Sequence, residues 1–431
     1  MEELSKEQRQ AFELFKKGEN IFITGAGGCG KTHFIRQIYQ NTTKKIQICA
    51  TTGCAALLLQ CNATTIHAWS GLGHGDGNPE TYLYRIRTRP FLRTRWLTTE
   101  ILVIDELSML SKKILDLLNW LGKSIRKSSK PFGGIQIIGS GDFFQLPPVG
   151  NREDPDTTAF AFESQHWSSI FPNEIEFKNN YRQSDATFLS ILNQIRVGRL
   201  TRSKYNLLCQ YVKRENQNPH IQPAKLFPVK YKVNQINTQE LAKLDSEETT
   251  FEAEKVIQLN GLKKSKTAVE KELDAMLKYS NIEPRLTLKV GTQVMCTRNV
   301  SIEEGMVNGT IAVVENITMQ KGEYIVILKL SSGRLYELSK VFTPCETLKT
   351  EDTGIKQFPL TLAWAVSIHK SQGITLECAE MDIGKSIFEY GQTYVALSRV
   401  KSLEGLYLTD FEPTRIRVNP KVKKYYERYK S

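Results

Sequence analysis

Short apolar runs and amphipathic stretches alternate along the first 150 residues, and each run stops at a polar cluster. Ala11, Phe12, Leu14 and Phe15 form the apolar stripe of a helix over Ser5–Lys17, with Gly18 as its stop. IFIT (Ile21–Thr24) predicts a strand, 31–40 a helix and Ile46–Ala50 a second strand. A third strand, Leu102–Ile104, runs into Asp105-Glu106, and a fourth, from Ile135, runs into Gly141-Asp142. Continuous apolar runs of this length suit parallel strands buried on both faces. The theme continues with a strand in Glu174–Gln183, a helix over Phe188–Gly198, a strand over Ala224–Val229, a helix over Val233–Leu244 and a strand and turn over Gly291–Asn299. Between Val307 and Thr353 the period changes to two, in TIAVVENI, EYIVILKL and RLYELSKVF, which predicts a small β-barrel insert. The α/β pattern then returns in LTLAWAVSIHKSQGITLE and TYVALSRVKSLEGLYLTD. The charged segment 245–285 reads as a surface insertion. The tail NPKVKKYYERYKS reads as a basic helix, either solvated or facing nucleic acid.

The 431 residues are 40% hydrophobic and 24% charged, the balance of a soluble protein of two to four domains. No apolar run approaches the roughly 20 residues that span a bilayer, so no membrane association is expected. MEELSKEQRQ resembles neither a signal nor a transit peptide. The eight cysteines are scattered without metal-ligand spacing, which suits a reducing compartment. The expected location is therefore intracellular, in the cytoplasm, nucleoid or nucleus. The net charge of +12 favours a polyanionic partner, nucleic acid before membrane.

The chemistry sits at the ends of the strands. Gly25, Gly30, Lys31 and Thr32 fit G-x-x-x-x-G-K-[ST] between a strand and a helix. In this spacing glycines let backbone N–H groups converge on phosphate oxygens, the lysine reaches the β/γ-phosphates and the threonine hydroxyl ligates Mg²⁺. Asp105 and Glu106 end a buried strand beside that loop, the place for a metal ligand and a group that polarises water. Gln145 offers an amide able to sense a γ-phosphate. Gln8 has two readings, a capping-box partner of Ser5 or an amide that reads an adenine edge. Thr52 and Gly53 form a strand-to-helix turn that offers N–H groups to a further anion. His67 and Trp69 are either core or contact residues. Five arginines between Arg85 and Arg95 interleave with Tyr82, Tyr84, Phe91 and Trp96. That composition suits single-stranded nucleic acid or a solvated basic loop, and the residues leave both open.

Taken in series, LSKEQRQAF, GAGGCGKT, TTGCAALL, TTIHAWSGL, VIDELSML, GDFFQLPPV, NNYRQ, GTQVMCTRN, VNGTIAVV, AVSIHKSQGITL and YVALSRVKSLEGL resemble the Pif branch of the Pif/RecD-like group of superfamily-one DNA helicases. The resemblance runs from about Leu4 to Tyr425. It implies an α/β fold of two RecA-like domains, the first over 1–70 and 98–178, the second over 179–306 and 356–431. A small wedge insert would occupy 71–97, and an SH3-like barrel 307–355. It implies ATP and Mg²⁺ as cofactors, single-stranded DNA and single-strand/duplex junctions as partners, a monomer, and 5′-to-3′ unwinding of duplex DNA. The nucleotide would be held by Gln8, Gly25, Ala26, Gly27, Gly28, Cys29, Gly30, Lys31, Thr32 and Gly373. Thr32 and Asp105 would ligate the metal. Lys31, Asp105, Glu106 and Gln145 would act with two arginines, Arg182 and Arg399, that reach the γ-phosphate from the second domain. DNA contacts would fall on Thr52, Gly53, His67, Ser367, His369, Lys370 and Gln372, with Trp69 stacking on bases; His369 could equally be a structural hydrogen-bonder. Two rival readings remain: a translocase that displaces proteins with little unwinding, and a binding module with a decayed ATPase. Cys29 stands where the family carries Thr or Ser. A thiol at a helix N-terminus is either reactive or an inert small residue. On this resemblance, essentially no extension beyond the helicase core is expected.

Overall fold

A computed structural model describes residues 4–59, 61–72, 78–151, 153–215, 223–259, 265–280, 282–301, 303–345, 348 and 352–429. Its contacts divide the chain into two units. One comprises Met1–Thr201, Glu389–Ser398 and Ile416–Ser431, the other Arg202–Phe388 and Arg399–Arg415.

In the first unit, α1 (Lys6–Lys16) starts on a capping box: the Gln8 amide N–H donates to Ser5 Oγ, and the Ser5 N–H donates to Gln8 Oε1. Then follow β1 (Ile21–Thr24), α2 (Lys31–Gln40), β2 (Ile46–Ala50), α3 (Gly53–Leu59), β3 (Thr64–Thr65) and α4 (Ile66–Ser70). After α5 (Pro79–Thr88) and α6 (Pro90–Thr98) come β4 (Ile101–Asp105), α7 (Lys112–Arg126), β5 (Gln136–Ser140), α8 (Trp167–Ile170), β6 (Asn173–Glu176) and α9 (Ala186–Arg196). The six strands form one parallel sheet in the order β3-β2-β4-β5-β1-β6. Helices cover both faces, so β1, β4 and β5 are buried at every position, which accounts for their continuous apolar runs. The registers Ile23↔Ser140 and Ile104↔Gly139 align the C-terminal ends of β1, β4 and β5. Gly25, Glu106 and Gly141 therefore leave the sheet along one edge, where ligands of such sheets bind.

The second unit contains α10 (Arg202–Cys209), β7 (Ala224–Phe227), α11 (Lys230–Ala242), β8 (Thr249–Glu252), β9 (Glu254–Val256), α12 (Lys266–Tyr279), β10 (Arg285–Leu288) and β11 (Gln293–Cys296). It continues with β12 (Ile311–Gln320), β13 (Glu323–Leu330), β14 (Leu335–Ser339), β15 (Val341–Pro344), β16 (Gly354–Gln357), β17 (Leu360–Leu362), β18 (Ala365–Ser367), β19 (Ala379–Ile383) and β20 (Leu406–Phe411). A second parallel sheet runs β18-β7-β19-β20. Asn237 of α11 docks on it by bonding both the N–H and the C=O of Ala365. The segment of period two forms an antiparallel sheet, β14-β13-β12-β11-β17, which takes in β11 and β17 from outside 307–355. Within 245–285, α12 buries Val269 and Leu273 against Cys345, Leu348 and Ile355.

Two later helices, α13 (Gln392–Leu397) and α14 (Pro420–Glu427), belong to the first unit. The tail is thus not a solvated basic helix. Val422, Tyr425 and Tyr426, spaced i, i+3, i+4, are buried in the same core as Phe143, Phe144 and Trp167.

Candidate nucleotide site and candidate nucleic-acid contacts

The loop after β1 has the geometry that glycine permits and other residues resist. Gly25, Gly28 and Gly30 have φ of +141°, +85° and +86°. A Cβ on Gly28 would lie 2.6 Å from Arg182 Cβ, and one on Gly30 2.8 Å from Gln8 Nε2 and 3.3 Å from the Tyr181 ring. The Lys31 ammonium donates to the carbonyls of Gly25 (2.7 Å) and Ala26 (3.0 Å) and lies 3.5 Å from Cys29 Sγ. Burial works against its charge, but Cys29, Asp142, Glu106 and Tyr394 more than offset this and hold its pKa above the ordinary lysine value. Thr32 follows in the first turn of α2.

Asp105 is buried at the end of β4, and burial raises its pKa against the lowering effects of Ser140, the Glu106 N–H and Lys31. Glu106 sits at φ +53°, a left-handed conformation that costs a non-glycine residue about 1–3 kcal/mol. Strain of this kind clusters at functional sites. Next along the edge, the Gln145 N–H closes a turn on the Asp142 carbonyl. The Asp142 carboxylate is held by both Nε and Nη2 of Arg196, each at 3.0 Å. Burial pulls the Arg196 pKa down, but this bidentate partner more than offsets it and the pKa is raised.

The two ends of the Gln8 amide have different neighbours. Its oxygen is committed to the capping box, while its Nε2 faces Gly30. Arg182 Nη1 donates to the Ser398 carbonyl at 3.3 Å and approaches Gly27. All of these residues lie in the first unit. Arg399 lies in the second, 1% exposed, where its guanidinium donates to the carbonyls of Ser371 and Ile374 and so ties down the turn that contains Gly373.

Of the expected DNA contacts, the Thr52 hydroxyl accepts the Ala55 N–H at the start of α3, beside Gly53, and His67 is half-buried in α4. Trp69 is a correction. Its ring is fully buried, 4.6 Å from that of Trp96, and cannot meet a base. The arginine-rich stretch also divides. Arg85 donates to the Gly71 carbonyl, and Arg95 to those of Ala68 and Trp69, so both cap the C-terminal end of α4. Arg89 and Arg93 are exposed, while residues 73–77 of the expected wedge insert lie outside the described residues. In the second unit, β18 delivers Ser367 beside Phe227, and Lys370 and Gln372 follow in the same turn. There His369 faces Phe388 with ring centroids 6.5 Å apart, and Phe388 is 55% exposed. Tyr231, 76% exposed, opens α11 just after β7.

The reading of single motifs missed Tyr181, Tyr394, Phe388 and Tyr231. Tyr181 and Tyr394 stand within the motifs NNYRQ and YVALSR, next to or near a chosen arginine. Phe388 and Tyr231 carry no local signal beyond being aromatic.

Residues 3–206 match the family model of PIF1-like helicases, and residues 272–317 that of the 2B domain of the DNA helicase Pif1. A Bdellovibrio bacteriovorus protein named ATP-dependent DNA helicase Pif1 is 34% identical over 429 residues, 99% of this chain and 92% of its own length. The chain belongs to the Pif1 helicase family. The human Pif1 helicase is also 34% identical, over 98% of this chain, but the chain spans 63% of the human protein's length. Among solved Pif1 structures, the Candida albicans Pif1 helicase aligns over 100% of both chains with a TM-score of 0.79 at 30% identity. The Bacteroides Pif1 helicase in complex with ADP-AlF3 and ssDNA aligns over 100% of this chain and 98% of its own, with a TM-score of 0.69 at 26% identity. The two parallel sheets are those of the two RecA-like domains of Pif1 helicases.

Proposed function

We propose that this Pif1 family chain is an ATP-dependent DNA helicase that translocates 5′-to-3′ on single-stranded DNA and unwinds duplex. The observation that carries the proposal is one strand edge holding a left-handed glycine loop, a half-buried lysine and the Asp105-Glu106 pair. A nucleoside triphosphate bound there draws Lys31 off the Gly25 and Ala26 carbonyls and onto its phosphates. Gln8 and Tyr181 flank the opposite end of the loop, where a planar base fits. Thr32 and Asp105 supply hydroxyl and carboxylate oxygens, a donor set that suits Mg²⁺. When bound, Mg²⁺ neutralises phosphate charge. Glu106 polarises the attacking water, Gln145 senses the γ-phosphate, and Arg182 and Arg399 neutralise charge in the loose transition state. The domains are taken to follow the two units, so that 179–201, 389–398 and 416–431, expected in the second domain and including Arg182, fall with the first. The antiparallel sheet supports an SH3-like insert at 307–355, to which β11 and β17 add, and helices α5 and α6 form most of a wedge insert at 71–97. The solved relative bound to ssDNA supports single strands as the partner, and a DNA helicase works inside the cell. Thr52, Gly53, His67, Ser367, His369, Lys370 and Gln372 remain the proposed DNA contacts. Since Trp69 is buried, Phe388 and Tyr231 take over as candidate stacking residues.

DNA-stimulated phosphate release tests the proposal. Lys31→Ala should abolish it while single-stranded DNA still binds, and full turnover in that variant removes the site assignment. Arg182→Ala should bind ATP yet hydrolyse it at least a hundredfold more slowly. Matched duplexes with a 5′ or a 3′ single-stranded tail report polarity, and protein displacement without strand separation selects the translocase reading.

A further inference from the structure

The two ends of the phosphate loop differ in chemistry. At Gly30 the neighbours are an amide and a phenol ring, Gln8 and Tyr181. At Gly27 they are the Tyr394 hydroxyl, 3.6 Å from where a Cβ would stand, and Arg182 Nη1 at 3.8 Å. A base suits the first end, and a terminal phosphate, which needs cations, suits the second. At that second end a loop N–H is already engaged. Gly27 N–H donates to Tyr394 Oη at 2.9 Å. Tyr394 is 3% exposed on α13, a helix buried at every position, so the hydroxyl is fixed where it stands. Burial and the Asp142 carboxylate push its pKa up, against Arg196, the Gly27 N–H and Lys31, so the hydroxyl stays protonated and neutral.

We infer that Tyr394 is a specificity-determining residue that distinguishes nucleoside triphosphates from diphosphates. Its hydroxyl occupies the hydrogen-bonding position of a γ-phosphate oxygen on Gly27, and a triphosphate must displace it. A diphosphate, bound from the Gly30 end, leaves it in place. After hydrolysis the hydroxyl recaptures Gly27 and opposes rebinding of phosphate. The inference rests on the proposal that this loop binds ATP.

Equilibrium titration with a fluorescent ADP and a fluorescent non-hydrolysable ATP analogue, both with Mg²⁺, tests it on the full chain. Removing one competing neutral hydrogen bond in Tyr394→Phe should tighten the ATP analogue about three- to tenfold and leave ADP within about twofold. An unchanged ratio of the two affinities, or weaker binding of the ATP analogue alone, overturns the inference, the latter because the hydroxyl is then a phosphate ligand. ADP is the internal control for folding: if the variant loses both nucleotides, Tyr394→Trp and thermal unfolding decide whether the residue is merely structural, which also overturns it. Wild-type protein that binds neither nucleotide removes the ATP proposal itself, whereas normal wild-type binding with no shift in the variant removes this inference alone.

Discussion

The tryptophan at position 69 shows what burial decides and local sequence does not. In TTIHAWSGL it lies two positions after a histidine and two before a glycine, a setting compatible with either a contact or a core residue. Its placement depends on Trp96, 27 positions away, whose ring lies 4.6 Å off and whose Nε1 donates to the Ser70 carbonyl. Trp69→Ala should therefore cost about 3–5 kcal/mol of stability, measured by denaturant unfolding, and Trp69→Phe should leave single-strand affinity unchanged. Phe388→Ala should weaken single-strand binding by about tenfold, since a stacked base is worth about 1–3 kcal/mol. Equal losses in Trp69→Phe and Phe388→Ala would sink that division. The cysteines divide along the same lines. Cys29 is 2% exposed and wedged against Gly25, and burial pushes the Cys296 thiol up to about 11, whereas Cys209 is exposed. At pH 8, short exposure to iodoacetamide should label Cys209 and spare Cys29 and Cys296, as peptide mass spectrometry would read. Early modification of Cys29 would instead restore its reactive reading.

At the scale of elements, the sequence is most legible where chemistry and periodicity are local. The strands ending at Thr24, Asp105 and Ser140 are each readable from a continuous apolar run followed by turn residues, and the phosphate loop from its glycines. The capping-box role of Gln8 was readable because a capping box spans only three residues. The rest depended on distant partners. Arg85 and Arg95 look like nucleic-acid contacts until α4 supplies carbonyls for them to cap. β11 and β17 join the antiparallel sheet through pairings such as Val294↔Leu362, which no short window contains. In α14 the lysines concealed an apolar stripe. Tyr426 stacks on Phe144 at 4.5 Å, and its hydroxyl meets Thr24 Oγ1 and accepts the Phe143 N–H. Tyr426→Phe keeps the ring and loses those bonds, so it should destabilise the first unit by about 1–3 kcal/mol, seen as a lower unfolding midpoint. Arg196→Ala should do more, about 3–5 kcal/mol, because it leaves the Asp142 carboxylate buried without its partner.

At the scale of the whole molecule, one proposed activity is divided between two units that the chain does not build one after the other. The first unit takes up residues before 202, returns for 389–398, and returns again after 416, with the second unit made in between. Composition and net charge carry no trace of this interleaving. Residues such as Tyr394 and Tyr425 resemble surface tyrosines in the sequence because their partners, Gly27 and Glu174, lie hundreds of positions upstream. The phosphate loop is correspondingly a composite. Its backbone comes from the start of the chain, while the hydroxyl on Gly27 arrives near the end.

That threading has a consequence for synthesis. The bond from Tyr426 to Thr24 spans 402 positions, so β1 leaves the ribosome long before the helix that covers its neighbours. Until then the nascent first unit carries an aromatic face around Phe143, Phe144 and Trp167 without the tyrosines that pack on it. Such a face invites misassociation during elongation. Ribosome-bound chains stalled before residue 416 should stay sensitive to protease within the first 201 residues, and chains stalled after α14 has emerged should become resistant.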